Sequence, residues 1–444
     1  MSFPPGFVFG VATAAFQIEG ATRVDGRGES IWDRFARTPG KVHNGDTGDP
    51  ACDHYRRWEQ DLDLMKMLGV DAYRFSLAWP RILPAGTGRP NRKGIDFYRR
   101  LVEGLHERGI KPFATLYHWD LPQALQDRGG WANRDSADWF AEYAQLCFRE
   151  LGDLVDDWIT INEPWVVAIL GYGHGTKAPG HTDWREALAS AHHLLLGHGL
   201  AVRALRELFP AARVGITLDL TPSDPATLSP EDVAAAARED GSKNRWFLDA
   251  VLRGRYPQDM VEWYEGRLGP LEFDREGDLA VACEPCDFLG VNFYTRIRAR
   301  AAAEDGMLAS RAVPADGPVT GMRWAVVPDA LREILLRVER EYGWRPIFIT
   351  ENGAAYDDRR QGDTVPDPER LEYFRAHLEA VERAIADGVD VRGYFAWSLL
   401  DNFEWENGYD KRFGIVYVDY ETQERVPKQS ALWYRDLIAE RSER

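Results

Sequence analysis

The feature that most narrows the fold is an alternation. Eight short apolar, β-branched or aromatic runs recur along the chain, over 7–18, 72–79, 112–118, 155–162, 213–218, 288–294, 347–350 and 393–399. Between the first two, Tyr55, Trp58, Leu62, Met65 and Leu68 keep helical spacing, and Gly69 stops the run. The patterning predicts further helices over 95–106, 136–151, 186–208, 231–238, 331–342, 371–385 and 432–438, and a loop or small hairpin over 300–320. Strands alternating with helices imply parallel pairing through right-handed crossovers. Eight strands is also the number that closes into a barrel. A doubly wound open sheet is the rival. It calls for a Gly-rich phosphate turn after the first strand, and Ala15-Phe16-Gln17-Ile18-Glu19-Gly20 is not one. No linker or solenoid repeat interrupts the pattern. The expected fold is therefore α/β: a (β/α)8 TIM barrel with elaborated βα loops, as a single catalytic domain over 1–444.

Composition removes several classes of partner. The formal net charge of −17 argues against nucleic acid and anionic membranes, which both need clustered Lys and Arg. Hydrophobic content of 44% and charged content of 28% suit a globular protein with a sizeable core. Four cysteines make no disulfide framework. Cys283-Glu284-Pro285-Cys286 is a lone CxxC, read as neighbouring thiols beside a buried strand rather than a metal or redox motif. Phe7-Val8-Phe9-Gly10 begins strand-like with no basic and apolar leader before it, and no run approaches membrane-spanning length. A cytoplasmic location is the expectation; the oligomeric state stays open.

Two of the apolar runs end on a carboxylate. Ile347-Phe348-Ile349-Thr350 runs into Glu351 before Asn352 and Gly353, and Trp158-Ile159-Thr160-Ile161-Asn162 runs into Glu163 before Pro164. Burying a charge is costly unless it is compensated. At the C-terminal end of a barrel strand, however, the side chain opens onto the face where barrel enzymes keep their chemistry. The other strand ends carry Gln17, Arg74, His118 with Trp119, Asn292 with Tyr294, and Trp397, followed by Asn402-Phe403-Glu404-Trp405-Glu406. That set has no Cys, one His and no HxH or HExxH spacing, so no metal and no cofactor is expected. Carboxylates, amides and aromatic rings suit a pyranose. Its hydroxyls take bidentate partners that donate and accept, and its C–H faces take a flat platform such as Trp119, Trp397 or Trp405.

Gln17-Ile18-Glu19-Gly20, Tyr117-His118-Trp119-Asp120-Leu121-Pro122, Thr160-Ile161-Asn162-Glu163-Pro164, Asn292-Phe293-Tyr294-Thr295, Ile349-Thr350-Glu351-Asn352-Gly353 and the stretch from Trp397 to Trp405 occur together and in order. Jointly they resemble the family 1 glycoside hydrolases, the β-glucosidase family, from Phe7 to Trp433. The resemblance implies a retaining β-glycosidase with Glu163 as acid/base and Glu351 as nucleophile. The distance between the two carboxyls, which separates retention from inversion, is not legible in a sequence. Arg74 and Tyr294 resemble the family's cation and hydroxyl that keep the nucleophile charged, and Asn292 is a further catalytic candidate. Asn162 resembles its contact to the sugar 2-hydroxyl.

For the non-reducing sugar, the resemblance implies Gln17, His118, Trp119, Glu404 and Trp405, with Trp397 beneath the ring. Relatives acting on 6-phosphorylated sugars carry Ser, Lys and Tyr around the last loop. Here Glu404 and Phe413 stand at matching places, and a carboxylate would repel phosphate, so unphosphorylated β-glycosides are expected. Plant thioglucosidases have Gln in place of the acid, and Glu163 excludes that reading. Trp165 and Trp324 are expected on the leaving-group side, with His174. Asp219 stands where relatives often have Asn, a departure that leaves the leaving-group preference open without touching the chemistry. Two alternatives remain: a galactose or fucose preference, and a sugar-binding barrel without catalysis, which should lack one of the two glutamates.

Overall fold

A computed structural model describes residues 1–314, 316–343 and 346–442; the rest of the expected 1–444 unit lies outside the described residues. Eight parallel strands close into a barrel: β1 Val8–Ala12, β2 Ala72–Ser76, β3 Lys111–Tyr117, β4 Asp157–Asn162, β5 Arg213–Asp219, β6 Phe288–Asn292, β7 Ile347–Asn352 and β8 Val391–Trp397. Each pairs with its neighbours in the sequence, and β1 closes the ring by pairing with both β2 and β8. Among the described residues no helix is long and apolar enough to cross a membrane.

The barrel interior is filled rather than open. Phe113, Phe288, Phe348 and Phe395 meet at ring-centroid distances of 5.0 to 5.5 Å for the closest pairs. Glycine makes that plug possible. A Cβ at Gly10 would lie 2.4 Å from the Phe395 ring, and one at Gly215 would lie 2.5 Å from Phe288. Above this apolar layer the strands carry Arg74, Thr115, Thr217 and Thr350, all buried. The helices end where local chemistry directs. Ser30 and Asp33 form a reciprocal capping box on Ile31–Arg37, Asp183 caps Trp184–Leu208, and Gly69 closes His54–Leu68 in the left-handed region.

Three differences from the expected elements matter. The first strand stops at Ala12 instead of reaching residue 18, and Ala15–Ile18 is a helical turn whose first N–H donates to Ser76 Oγ at 2.7 Å. Gln17 therefore sits on that turn and not at a strand end. Ile297–Ala301 and Ser310–Ala312 form the small hairpin, extended by Ser223–Pro225 into a three-stranded sheet. The helices Trp246–Arg253, Gln258–Leu268 and Asp278–Ala282 occupy a region without a clear sequence pattern.

Candidate active site

The C-terminal strand ends open into one cavity of about 690 Å³. His118, Trp119, Glu163, Trp165, Tyr294, Trp324, Glu351, Trp397, Glu404, Trp405 and Phe413 all line it. Gln17, Arg74, Asn162 and Asn292 are buried behind that lining. His174 is not brought into the site. It is exposed and packs edge-on against Trp184, 5.2 Å between ring centroids.

A single hydrogen-bond network joins the strand ends. Arg74 on β2 donates to Glu351 Oε1 at 2.6 Å through Nη1 and to Asn162 Oδ1 at 2.5 Å through Nη2. The Tyr294 hydroxyl donates to the other Glu351 oxygen at 2.6 Å. Asn292 Nδ2 donates to Glu163 Oε1 at 2.6 Å and to Asn162 Oδ1 at 3.1 Å. Thr350 Oγ1 donates to Asn292 Oδ1 at 2.8 Å, which fixes the direction of that amide. Because Asn162 Oδ1 accepts twice, its Nδ2 faces His118 Nε2, 3.2 Å away. Burial and the Arg74 charge hold His118 well below its usual range, so the ring is neutral and carries its proton on Nδ1. Among the described residues that Nδ1 has no partner, and neither does Gln17 Oε1. Gln17 Nε2 is already committed to Asn402 Oδ1, the Phe403 carbonyl and Glu404 Oε2.

The two glutamates occupy opposed environments. Burial, then the Asp219 and Glu351 charges, raise Glu163 well above the ordinary carboxyl range. Burial raises Glu351 as well, but Arg74 and the Tyr294 hydroxyl oppose it, and the Asn292 amide also favours its charged form. When the pair holds one proton, Glu163 keeps it. Glu404, buried beside Gln17, is pushed up to about 8 by burial despite Lys177. At neutral pH it can donate as well as accept.

Backbone strain marks the same places. Glu163, Trp119 and Trp405 hold φ of 50°, 77° and 48°, left-handed conformations that bulky residues rarely adopt. Each costs about 1–3 kcal/mol, and such residues concentrate at functional sites. The aromatic wall is continuous. Trp119 and Trp405 lie 4.5 Å apart, and the His118 ring stacks at 5.9 Å on Trp397.

Sequence reasoning missed the cations of this cavity. Lys243 is paired with Asp219 and lies 3.5 Å over the Trp165 ring, and Lys177 is paired with Glu406. Arg296, Arg298 and Arg323 line the cavity too. In a sequence these read as solvated charges; only tertiary packing brings them here. Among the described residues, one group could share a metal ion, His192 with Asp274 and Asp278. None of the three lines the cavity, and Arg134 already donates twice to Asp278 at 2.6 Å.

The model of the family described as "Glycosyl hydrolase family 1" matches residues 1–443. The thermostable beta-glucosidase B of Thermobispora bispora is 52% identical over 443 residues, 99% of this chain and 91% of that protein. A bifunctional beta-D-glucosidase/beta-D-fucosidase of Bifidobacterium breve is 47% identical over 466 residues, with full coverage of both. The solved Thermotoga maritima beta-glucosidase in complex with glucoimidazole superposes with a TM-score of 0.95 at 48% identity, covering 99% of each chain.

Proposed function

This chain belongs to glycosyl hydrolase family 1, and from that premise we propose a retaining β-glucosidase working as one catalytic domain. It releases terminal non-reducing β-D-glucosyl residues from unphosphorylated oligosaccharides or from aryl and alkyl glucosides. One observation carries this reading: two buried carboxyls share a cavity, one clamped by a guanidinium and a phenol, the other bonded, among the described side chains, by a neutral amide. The first is equipped to stay charged and attack; the second is equipped to hold a proton.

The steps follow from that asymmetry. Glu351 attacks the anomeric carbon while the bond to the leaving oxygen breaks, and Glu163 gives that oxygen its proton. Glu351 is then an ester and no longer charged. With that repulsion gone, Glu163 becomes the base that takes a proton from water as the water displaces Glu351. Asn162 bonds the 2-hydroxyl, where contacts tighten in the transition state, and Asn292 orients Glu163 and Asn162 behind it. His118 Nδ1–H, Gln17 Oε1 and Glu404 supply the remaining donors and acceptors over the Trp397 ring. Phosphorylated sugars are disfavoured because Glu404 and Phe413, a carboxyl and a phenyl ring, line the pocket and give a phosphate no cationic partner of their own. All four cysteines are free, which fits the reducing cytoplasm we propose as its location.

A slow glucoside with fluorine at carbon 2 and a good leaving group tests the assignment. We expect a covalent glycosyl adduct on the peptide carrying Glu351, and Glu351→Ala to lose about 10⁴-fold or more in kcat. An adduct elsewhere sinks the reading. Comparing kcat/KM for gluco-, galacto- and fuco-configured substrates tests the sugar preference.

A further inference from the structure

One buried ion pair in the cavity is not used by the reaction as described. Asp219 ends β5, and Lys243 reaches it from the short helical segment Gly241–Arg245. Register sets how near they stand to the acid/base. The Glu163 N–H donates to the Thr217 carbonyl at 2.9 Å. Asp219, two residues farther along β5, projects to the same face as Thr217. It also lies directly opposite Asn292 in the β5–β6 ladder, the residue whose amide bonds Glu163. Side-chain exposure of Lys243 and Asp219 is only 8% and 13%, so water screens them weakly.

We propose that Asp219, held by Lys243, is a positioning residue for the acid/base: its negative charge keeps the departing proton on Glu163 until the leaving oxygen takes it. The proposal rests on the reading of Glu163 as acid/base. Of the charged groups facing Glu163, Asp219 from β5 and Glu351 from β7 raise its proton affinity, and Lys243 lowers it. Arg74 from β2 is committed to Glu351 and Asn162, His118 from β3 is neutral, Tyr294 donates to Glu351, and Glu404 lies beside Gln17. The pair can therefore be unbalanced in either direction. Losing Asp219 removes a negative charge and frees a positive one, both loosening the proton. Losing Lys243 leaves Asp219 uncompensated and tightens it.

The test is the pH dependence of kcat/KM on two substrates. A β-1,4-linked glucose disaccharide needs its leaving oxygen protonated; 2,4-dinitrophenyl β-glucoside does not. With the disaccharide we expect the alkaline limb to move about 1 pH unit lower in Asp219→Asn and about half a unit higher in Lys243→Met. With the dinitrophenyl substrate neither variant should move it. Limbs that stay in place, that move in the same direction in both variants, or that move equally on both substrates would overturn the proposal. If Asp219→Asn fails to fold, the upward shift in Lys243→Met decides alone. Glu163→Gln separates the two readings. If that variant keeps full disaccharide turnover, the acid/base assignment is wrong, whatever Asp219 does.

Discussion

At the floor of the cavity the functional polar groups hang from barrel strands, whereas at its mouth they hang from the segments that connect those strands. Arg74, Asn162, Asn292 and Glu351 lie on β2, β4, β6 and β7, all at or below 3% exposure. The parallel ladder fixes their heights, and a shared hydrogen-bond network fixes their directions. Trp165, Lys243, Arg296, Arg298, Arg323 and Trp324 form much of the mouth. Arg323 is exposed and holds φ at 64°, and the ion-pair partner of Arg298, Asp316, is 89% exposed. Strand register thus sets the geometry of the floor, and the mouth is built by the connecting segments, which reach the chemistry only where Lys243 pairs with Asp219.

The strongest way to break this comparison is at the floor. Arg74 and Glu351 are a buried pair, with side chains 1% and 4% exposed. Arg74→Met leaves a buried carboxyl without its cation, which costs about 3–5 kcal/mol of stability. We expect kcat to fall by about 10²–10³-fold, comparable to losing one preorganised donor. Glu351 would hold its proton to higher pH, so the acid limb of the rate profile should move upward. A variant with an unmoved acid limb would show that Arg74 does not hold the nucleophile charged.

A smaller effect distinguishes chemistry from structure within one sequence block. His118 and Asp120 are two residues apart, yet only His118 lines the cavity. No other described residue donates a hydrogen bond to the Asp120 carboxyl, and burial pushes it from 3.8 to about 8. The folded state therefore holds a proton that the unfolded chain releases above 3.8. Stability that is complete below that pH is lost as pH rises towards 8, by up to about 1.4 kcal/mol per pH unit. Asp120→Asn should remove this slope, so the variant gains on the parent between pH 4 and pH 8 in denaturant titrations. Parallel curves would mean that Asp120 is charged in the fold.

The sequence made the floor legible because strand periodicity and a carboxylate closing an apolar run are both local signals. Glu163 and Glu351 could be found that way, and so could Arg74. Gln17 was placed on the wrong element. The turn that carries it is held by a bond from Ala15 to Ser76, 61 residues away, which no window of sequence contains. His174, expected on the leaving-group side, packs on Trp184 instead, a contact that only the fold creates. Lys243 sits in Gly241-Ser242-Lys243-Asn244-Arg245, a polar stretch with nothing to set it apart from surface until the fold brings it to Asp219. The left-handed backbone at Glu163, Trp119 and Trp405 is likewise a product of tertiary packing.

Trp324 gives the smallest expected effect and the sharpest test of whether mouth and floor are separable. Its ring lies 5.4 Å from Tyr294 and 6.1 Å from Phe413, and Tyr294 in turn holds Glu351. If Trp324 serves only the leaving group, Trp324→Ala should lower kcat/KM for an aryl glucoside by about 3- to 10-fold, the size of one aromatic contact. It should leave kcat unchanged for a substrate limited by hydrolysis of the glycosyl ester, because the leaving group has departed by then. If kcat on that substrate falls in step, Trp324 acts through Tyr294 on the nucleophile. The loops would then be part of the catalytic floor, and the division drawn between the two would fail at this contact.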